Sequence, residues 1–391
     1  MYNHIYFVYR SETRECLESQ ILPLLQLLRK KNNVKLILLK KPESNIAIIN
    51  NILKEYDLNK DVLIYNFKKY NLIFNSKYIF KKIANDIIKN VDFNFKVLFH
   101  CRGYQASFVA IKIKQIINLE KIKVLFDNRG LPIEENLSNN LFSIVHNIFH
   151  SKYLKYTSKH CDIFSFVTNN LRDFMINKYN FSAKKAYLII PTCVNKKEIY
   201  KKNNNISRIR YIYIGGVQYW QNIEEVIKLF KLIRNIDKKA DFTLLVDNVD
   251  KVKNICLKYK INTNIKNVKH KEVFKYLSKS QVGILLRNNS IINKVAAPGK
   301  FSEYITSGLK VIYSGNIGVI DDCRKYMNID SVAFNTNKIK LNKIIERTWN
   351  AQYGNEEKMD VKYFFWQTHV EKYEKILNNI SENPRDENGI K

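Results

Sequence analysis

The chain is 391 residues long, room for two domains at about 100–200 residues each. A hydrophobic content of 46% with 13% aromatics, 11 Gly and 6 Pro excludes a disordered or collagen-like chain. Lys and Arg total 66 against 36 acidic residues, a net charge of +30 that favours polyanionic partners: nucleic acid, phosphorylated ligands or anionic lipid. Part of that excess follows from a composition rich in Lys, Asn, Ile and Tyr, as AT-biased coding produces. The charge is also spread along the chain rather than gathered in one tail.

The opening, MYNHIYFVYRSETRE, lacks the basic region, apolar run and cleavage site of a signal peptide. No apolar stretch approaches the ~18–20 residues of a membrane span. A cytoplasmic protein is expected, with the inner face of the plasma membrane as a further location. The cysteines at 16, 101, 161, 193, 256 and 323 form no CxxC or zinc knuckle and read as reduced thiols.

In chain order, β-rich apolar runs fall at 4–9 (HIYFVY), 34–39, 61–65, 96–100 (KVLFH), 123–127 (KVLFD), 162–167 and 186–190. Amphipathic stretches lie between them. In the first, Leu17, Ile21, Leu24, Leu25 and Leu28 recur at spacings of three and four, and Pro23 marks a kink or a first turn. A second series follows the polar stretch 196–207, with strands at 209–215, 241–247, 282–287 and 309–314 and helical patterns between. Strand–helix alternation predicts parallel sheets covered by helices on both faces, hence two doubly wound α/β domains. We assign 1–200 to an N-terminal Rossmann-like domain, 208–365 to a C-terminal one, and 366–391 to a closing helix crossing back to the first domain and a disordered tail. Ligands of such sheets sit at the carboxyl ends of the strands, so the expected site is a cleft between the two domains.

The residues after the later strands carry the chemistry. In AAPGKFSEYITSGLKVIYSG (296–315), Pro298 suits the first position of a helix and Gly308 its left-handed end. The N–H groups of Gly299, Lys300 and Phe301 then face outward at a positively polarised helix end. Lys300, and Arg287 at the end of the preceding strand, add full charges. Glu303 lies one turn in, within reach of sugar hydroxyls. The bland alternative is an ordinary helix with a Lys–Glu surface pair. The functional alternative is a diphosphate with a ribose beside it, and the residues alone leave both open.

This segment resembles the donor-binding segment of retaining GT-B glycosyltransferases of family 4, the "group 1" transferases of bacterial polysaccharide biosynthesis. Their Pro-x-Lys-Phe-x-Glu-Tyr-x-x-x-Gly-x-x-Val-Ile pattern corresponds to Pro298, Lys300, Phe301, Glu303, Tyr304, Gly308, Val311 and Ile312. YIYIGGVQYWQNIEEVIKLFKLI is similar to the opening of their second domain, and IIPTCVNKKEIY to the end of their first, with Asn195 where Asp is usual. The resemblance covers about 96–380. It departs in the turn Gly215-Gly216-Val217-Gln218, which lacks the family's Arg and Lys, and at Val295, where many members carry a second Glu. The N–H groups of Gly215 and Gly216 stand in for the missing cations.

In the first domain, two Arg-Gly turns follow successive strands. One holds His100, Arg102 and Gly103; the other holds Asp127, Arg129 and Gly130, with Glu134 and Glu135 beyond. Buried arginine needs a carboxylate or a phosphate. An internal Arg–Asp brace and an acceptor-side pocket both fit. The resemblance implies the pocket, with His100, Arg102, Asp127 and Arg129 as catalytic candidates and Gly103, Gly130, Glu134 and Glu135 on the acceptor side. Either His100 or Arg102 takes the place of the family's catalytic His. His146 and His150, four apart, lack a third ligand, and no metal is expected. The helix they occupy, 137–160, carries an apolar stripe of Leu141, Ile144, Val145, Ile148 and Phe149, read as core, with a membrane-surface contact through Lys152, Lys155 and Lys159 as the alternative.

The expected activity is transfer of a sugar from a nucleotide-diphosphate sugar to a saccharide or lipid-linked acceptor, without a cofactor or metal, in capsule or other surface polysaccharide synthesis. Two other readings compete. A nucleotide-sugar 2-epimerase of the same fold would use His100 and Glu134 as acid and base. A nucleic-acid-binding protein fits the net charge, but no recognisable module supports it, and no nucleic acid is expected as a partner.

Overall fold

The structure, a computed structural model, describes residues 1–10, 13–68, 77–135, 141–201, 208–323, 330–331, 341–343, 346 and 361–382. The side chains of 141–146, Trp220, 330–331 and 380–382 also lie outside the description. Two compact units result: Met1–Pro191 with Trp366–Lys391, and Thr192–Phe365.

The first unit is a seven-stranded parallel sheet in the order β3-β2-β1-β4-β5-β6-β7. Its strands are β1 (Asn3–Tyr9), β2 (Asn33–Lys40), β3 (Val62–Asn66), β4 (Val97–Arg102), β5 (Ile122–Asn128), β6 (Ile163–Phe166) and β7 (Tyr187–Ile189). The central strands are apolar on both faces: Tyr6, Phe7 and Val8 are fully buried, as are Val97, Leu98 and Phe99. A parallel sheet covered on both sides demands such continuous runs. Helix boundaries follow local chemistry. The side chains of Asn45, Thr168 and Asn248 accept N–H groups at helix starts. Asn118 and Asn180 close helices in the left-handed conformation, at φ 55° and 53°.

The first amphipathic run folds as Arg14–Cys16, a π-helical turn Leu17–Ile21 and an α-helix Leu22–Leu28, with Pro23 in its first turn. The wider turn stands where the proline has no N–H to give. The last helix, Trp366–Glu382, packs against Leu22–Leu28 and thus belongs to the first unit, as expected, although it follows the second in sequence. It buries Trp366, Tyr373, Ile376 and Leu377. The tail beyond it lies outside the described residues, as does the second half, 202–207, of the polar stretch between the two strand series.

The helix Leu141–His160 departs from expectation. Ile148, assigned to a core stripe, is 52% exposed, and the buried residues are Tyr153, Leu154 and Thr157. Phe149 of the same stripe is half-buried, and Leu141, Ile144 and Val145 fall among the undescribed side chains, as does His146. His150 meets Tyr104 edge-on, with ring centroids 5.2 Å apart.

The second unit carries a six-stranded parallel sheet, β10-β9-β8-β11-β12-β13. Its strands are β8 (Arg210–Ile214), β9 (Asp241–Leu245), β10 (Asn264–Lys266), β11 (Val282–Leu285), β12 (Lys310–Tyr313) and β13 (Asp330–Ser331). β10 and β13 were not anticipated; at three and two residues they are too short to show a period. The core gathers Tyr211, Tyr213, Phe230 and Phe242 with aliphatic residues of the helix Ile223–Ile236. Strand order reverses between β8 and β11, the position where such sheets open a crevice for ligands. No described helix is long and apolar enough to cross a membrane.

Candidate functional site

β8 and β11 pair over only two positions, Tyr211 with Val282 and Ile212 with Gly283. Beyond them the strands part, and the hydroxyl of Tyr304 bridges the gap. It accepts the Ile214 N–H at 3.0 Å and donates to the Ile284 carbonyl at 3.3 Å. The Tyr304 ring lies where a Cβ on Gly283 would stand. This one side chain therefore seats the helix Gly299–Thr306 with its N-terminus at the carboxyl ends of β8 and β11.

Pro298 is the N-cap of that helix, in extended backbone at φ −64°, ψ 129°, so the helix begins one residue later than expected. Two donor-site assignments change with the geometry. Phe301 is fully buried, edge-on to Phe364, and its N–H donates to the Pro298 carbonyl at 3.0 Å. It packs the core and offers no N–H to a ligand. Gly215 donates its N–H to the Leu245 carbonyl at 3.0 Å, so that group is held by the sheet. The role of Gly215 is space. At φ +144° it adopts a conformation that L side chains rarely take, and a Cβ there would collide with the Lys300 amine. The N–H groups of Gly299 and Lys300 have no backbone acceptor among the described residues. Gly299 is itself crowded, 3.2 Å from a Thr192 methyl at the position of a Cβ.

Lys300 is 9% exposed. Its Nζ donates to Gln221 Oε1 at 2.7 Å and sits 4.3 Å from the Tyr213 ring centroid. No carboxylate among the described residues lies within ion-pairing distance of it. Arg287, 8% exposed, follows β11 and is held by Ser314, whose hydroxyl accepts the Arg287 N–H at 3.1 Å and lies 3.2 Å from its carbonyl. Burial, then the neighbouring Arg287, push the Lys300 amine well below its usual range, with Glu303 opposing. Burial lowers Arg287 as well, opposed by Tyr213 and Tyr304. Glu303 Oε1 lies 3.0 Å from His270 Nε2. A buried amine held by a neutral amide, near a buried guanidinium and at a helix N-terminus, is an arrangement suited to an anion.

In the first unit, strand register sets His100 beside Tyr6 and Leu125, and Arg102 beside Asp127. His100 and Asp127 are fully buried. Tyr2 OH lies 3.1 Å from His4 Nδ1, and His4 Nε2 lies 3.1 Å from His100 Nδ1. His100 Nε2 is 3.5 Å from Asp127 Oδ2, long for a hydrogen bond. Arg129 Nε donates to the same carboxylate oxygen at 2.8 Å, and its guanidinium lies 5.6 Å from the Trp366 ring. One ordering of protons, with Tyr2 donating to His4 and His4 to His100, keeps both imidazoles neutral and turns the His100 Nε2–H toward Asp127. Burial is the main cause that lowers both. Burial raises Asp127, but Arg129, His100 and Arg102 outweigh it and hold the carboxyl well below its ordinary range.

The internal Arg–Asp brace is therefore present, and it presents Arg129, whose side chain is 11% exposed. Arg102 closes β4 and donates to Gln20 Oε1 at 2.7 Å. Gly103, at φ +80°, makes the sharp entry to the next helix. Glu134, placed on the acceptor side from sequence, is tied instead to Lys178 (2.8 Å) and Tyr179 (2.6 Å). Glu135 accepts the Leu131 N–H at 3.4 Å and crowds Gly130, whose Cβ would lie 2.9 Å from it. Both glutamates brace the turn. The residues that sequence reasoning passed over are Gln221, His270, Tyr213 and His4. Each reaches its partner from another strand–helix unit or a neighbouring strand, so no local spacing announces it.

No protein-family model matches the chain, and no curated protein matches its sequence. Solved structures do resemble it along its whole length. A glycosyltransferase from Rickettsia africae ESF-5 aligns over 98% of this chain and 99% of its own, with a TM-score of 0.68 at 14% identity. Anabaena Alr3699/HepE, in complex with UDP, covers 98% and 99%, with a TM-score of 0.64 at 10% identity. A putative UDP-N-acetylglucosamine 2-epimerase from Listeria monocytogenes covers 99% and 98%, with a TM-score of 0.61 at 12% identity. At such identities the likeness shows the fold, two Rossmann-like units of the GT-B type.

Proposed function

We propose that the protein is a glycosyltransferase that takes its sugar from a nucleotide-diphosphate sugar. The observation that carries this reading is Lys300: a buried amine with a neutral partner, beside Arg287, at a helix N-terminus over the switch point of a parallel sheet. A pyrophosphate pairs with the Lys300 amine, whose one hydrogen-bond partner among the described residues is the neutral Gln221 amide. As the bond from sugar to diphosphate breaks, charge grows on the leaving oxygen, and preorganised cations stabilise it without moving. Glu303, oriented by His270, accepts hydrogen bonds from the ribose. That solved structures of the same fold include glycosyltransferases, one of them holding UDP, supports the reading.

In the first unit, Arg129 and Arg102 serve the acceptor side, and Asp127 with His100 holds Arg129 in place. A saccharide or lipid-linked acceptor of surface polysaccharide synthesis is our reading of the second substrate. Transfer retains configuration, and the departing phosphate takes the acceptor's proton, so no pair of catalytic carboxylates is required.

A 2-epimerase shares the fold, and the Listeria neighbour keeps that reading in play. Incubation with donor sugars separates them. A glycosyltransferase converts the donor only in the presence of acceptor, or slowly to free sugar and nucleotide; an epimerised nucleotide sugar from donor alone overturns our reading. A thermal-shift screen across UDP, GDP, ADP and CMP donors identifies the nucleotide, since a ligand at a hundred times its dissociation constant stabilises by about 2.7 kcal/mol.

A further inference from the structure

At the opposite edge of the second sheet, where the strands begin, lies a cavity of about 650 Å³. Arg208 reaches it from just before β8, Asp241 from the start of β9 and Asn264 from the start of β10. Arg234, in the last turn of the helix Ile223–Ile236, lines it with Lys238 and Lys239 just beyond. Four cations thus face one carboxylate. That carboxylate is shared loosely: Arg208 approaches Asp241 at 3.6 Å and Arg210 at 3.9 Å, both longer than the 2.7–2.9 Å of a charge-assisted hydrogen bond.

Basic residues near a helix C-terminus offset its dipole, which accounts for charge at this corner. It does not account for how the Arg234 guanidinium is set. Its guanidinium stacks on Phe242, 5.0 Å from the ring centroid, and its buried Nε has no hydrogen-bond partner among the described residues. A buried N–H without an acceptor bears its full desolvation cost, and a planar fork braced on an aromatic ring is suited to phosphate oxygens.

We propose that this cavity is a second anion site, separate from the Lys300 pocket, which binds phosphate groups of a polyanion through Arg234, Arg208, Lys238 and Lys239. Five-residue strands hold the two ends of the sheet about 15 Å apart, at roughly 3.3 Å per residue, too far for one pyrophosphate to occupy both. The phosphate arises either from a soluble phosphorylated ligand or from a lipid headgroup.

The test uses the full chain and two probes: inorganic pyrophosphate by isothermal titration, and phosphatidylcholine vesicles with or without phosphatidylglycerol by co-sedimentation. Arg234→Gln/Lys238→Gln is expected to lose one pyrophosphate equivalent, or weaken it about tenfold or more. Lys300→Ala is expected to keep that equivalent. If pyrophosphate binds once only, and the Arg234→Gln/Lys238→Gln variant abolishes it, the second site stands and the donor-site reading fails. Vesicle binding that depends on phosphatidylglycerol and is lost in the same variant assigns the phosphate to a headgroup; pyrophosphate binding alone assigns it to a soluble ligand. Should that variant fold poorly, Lys238→Gln/Lys239→Gln alters two exposed side chains and is expected to weaken the same equivalent. Wild-type binding of both probes by these variants would overturn the proposal.

Discussion

Lys300 is buried, beside Arg287, and its amine is held below its ordinary range by that burial. A bound pyrophosphate reverses the balance and favours the protonated amine. Nucleoside diphosphate binding is therefore expected to take up protons, so that affinity falls as pH rises through the alkaline range. Titrations in two buffers of different ionisation enthalpy measure this directly: the observed heats should differ in proportion to proton uptake, and Lys300→Gln should remove the difference. His4 and His100 make a second residue-scale prediction. Both are lowered in the folded chain, so the unfolded chain binds more protons once the pH falls below the ordinary histidine range. Their penalty is absent at pH 8 and grows on acidification, at up to about 1.4 kcal/mol per pH unit for each ring. A melt series from pH 8 to 5 should show the first unit losing stability, and His4→Gln/His100→Gln should flatten that slope while lowering stability at pH 8.

At the scale of elements, the site depends on how the helix Gly299–Thr306 is seated. Gly283→Ala sets a methyl into the Tyr304 ring and should cost about 1–3 kcal/mol of stability, read as a lower urea midpoint. Gly215→Ala combines a strained φ with a collision at the Lys300 amine, so it should weaken nucleotide binding as well as stability. What sequence conveys follows the same division. Pro298, Lys300, Glu303 and Gly308 were legible because a helix start and end are punctuated locally, and the alternation of strand and helix made the doubly wound fold legible too. Gln221, which holds Lys300, lies 79 positions away, and His270 lies 33 from Glu303. His4 meets His100 only because β1 and β4 are sheet neighbours. Such pairings are chosen by topology, which no residue spacing records. The contacts of Phe301, Glu134 and Glu135 were hidden for the converse reason: position beside a motif does not fix whether a side chain faces the core, a neighbouring cation or a turn.

At the scale of the molecule, the chain closes on itself. Trp366–Glu382 completes the first unit after the second has been traversed, and its Trp366 and Tyr373 lie within the rings around His100 and Arg129. Ending the chain at Phe365 should therefore destabilise the first unit and leave the second able to bind nucleotide, a separation visible in two-probe urea unfolding. The pocket of the second unit, in our reading, is built for a pyrophosphate. The decisive comparison is the calorimetric affinity of the nucleoside diphosphate found by the donor screen against that of its nucleoside, for the wild-type protein and for Lys300→Ala. We expect the wild type to prefer the diphosphate by about a hundredfold or more, as charge-assisted contacts of about 1.5–3 kcal/mol each imply, and Lys300→Ala to lose most of that preference while its melting stays cooperative. An equal preference for the diphosphate in both proteins would show that the pocket is not built for a pyrophosphate.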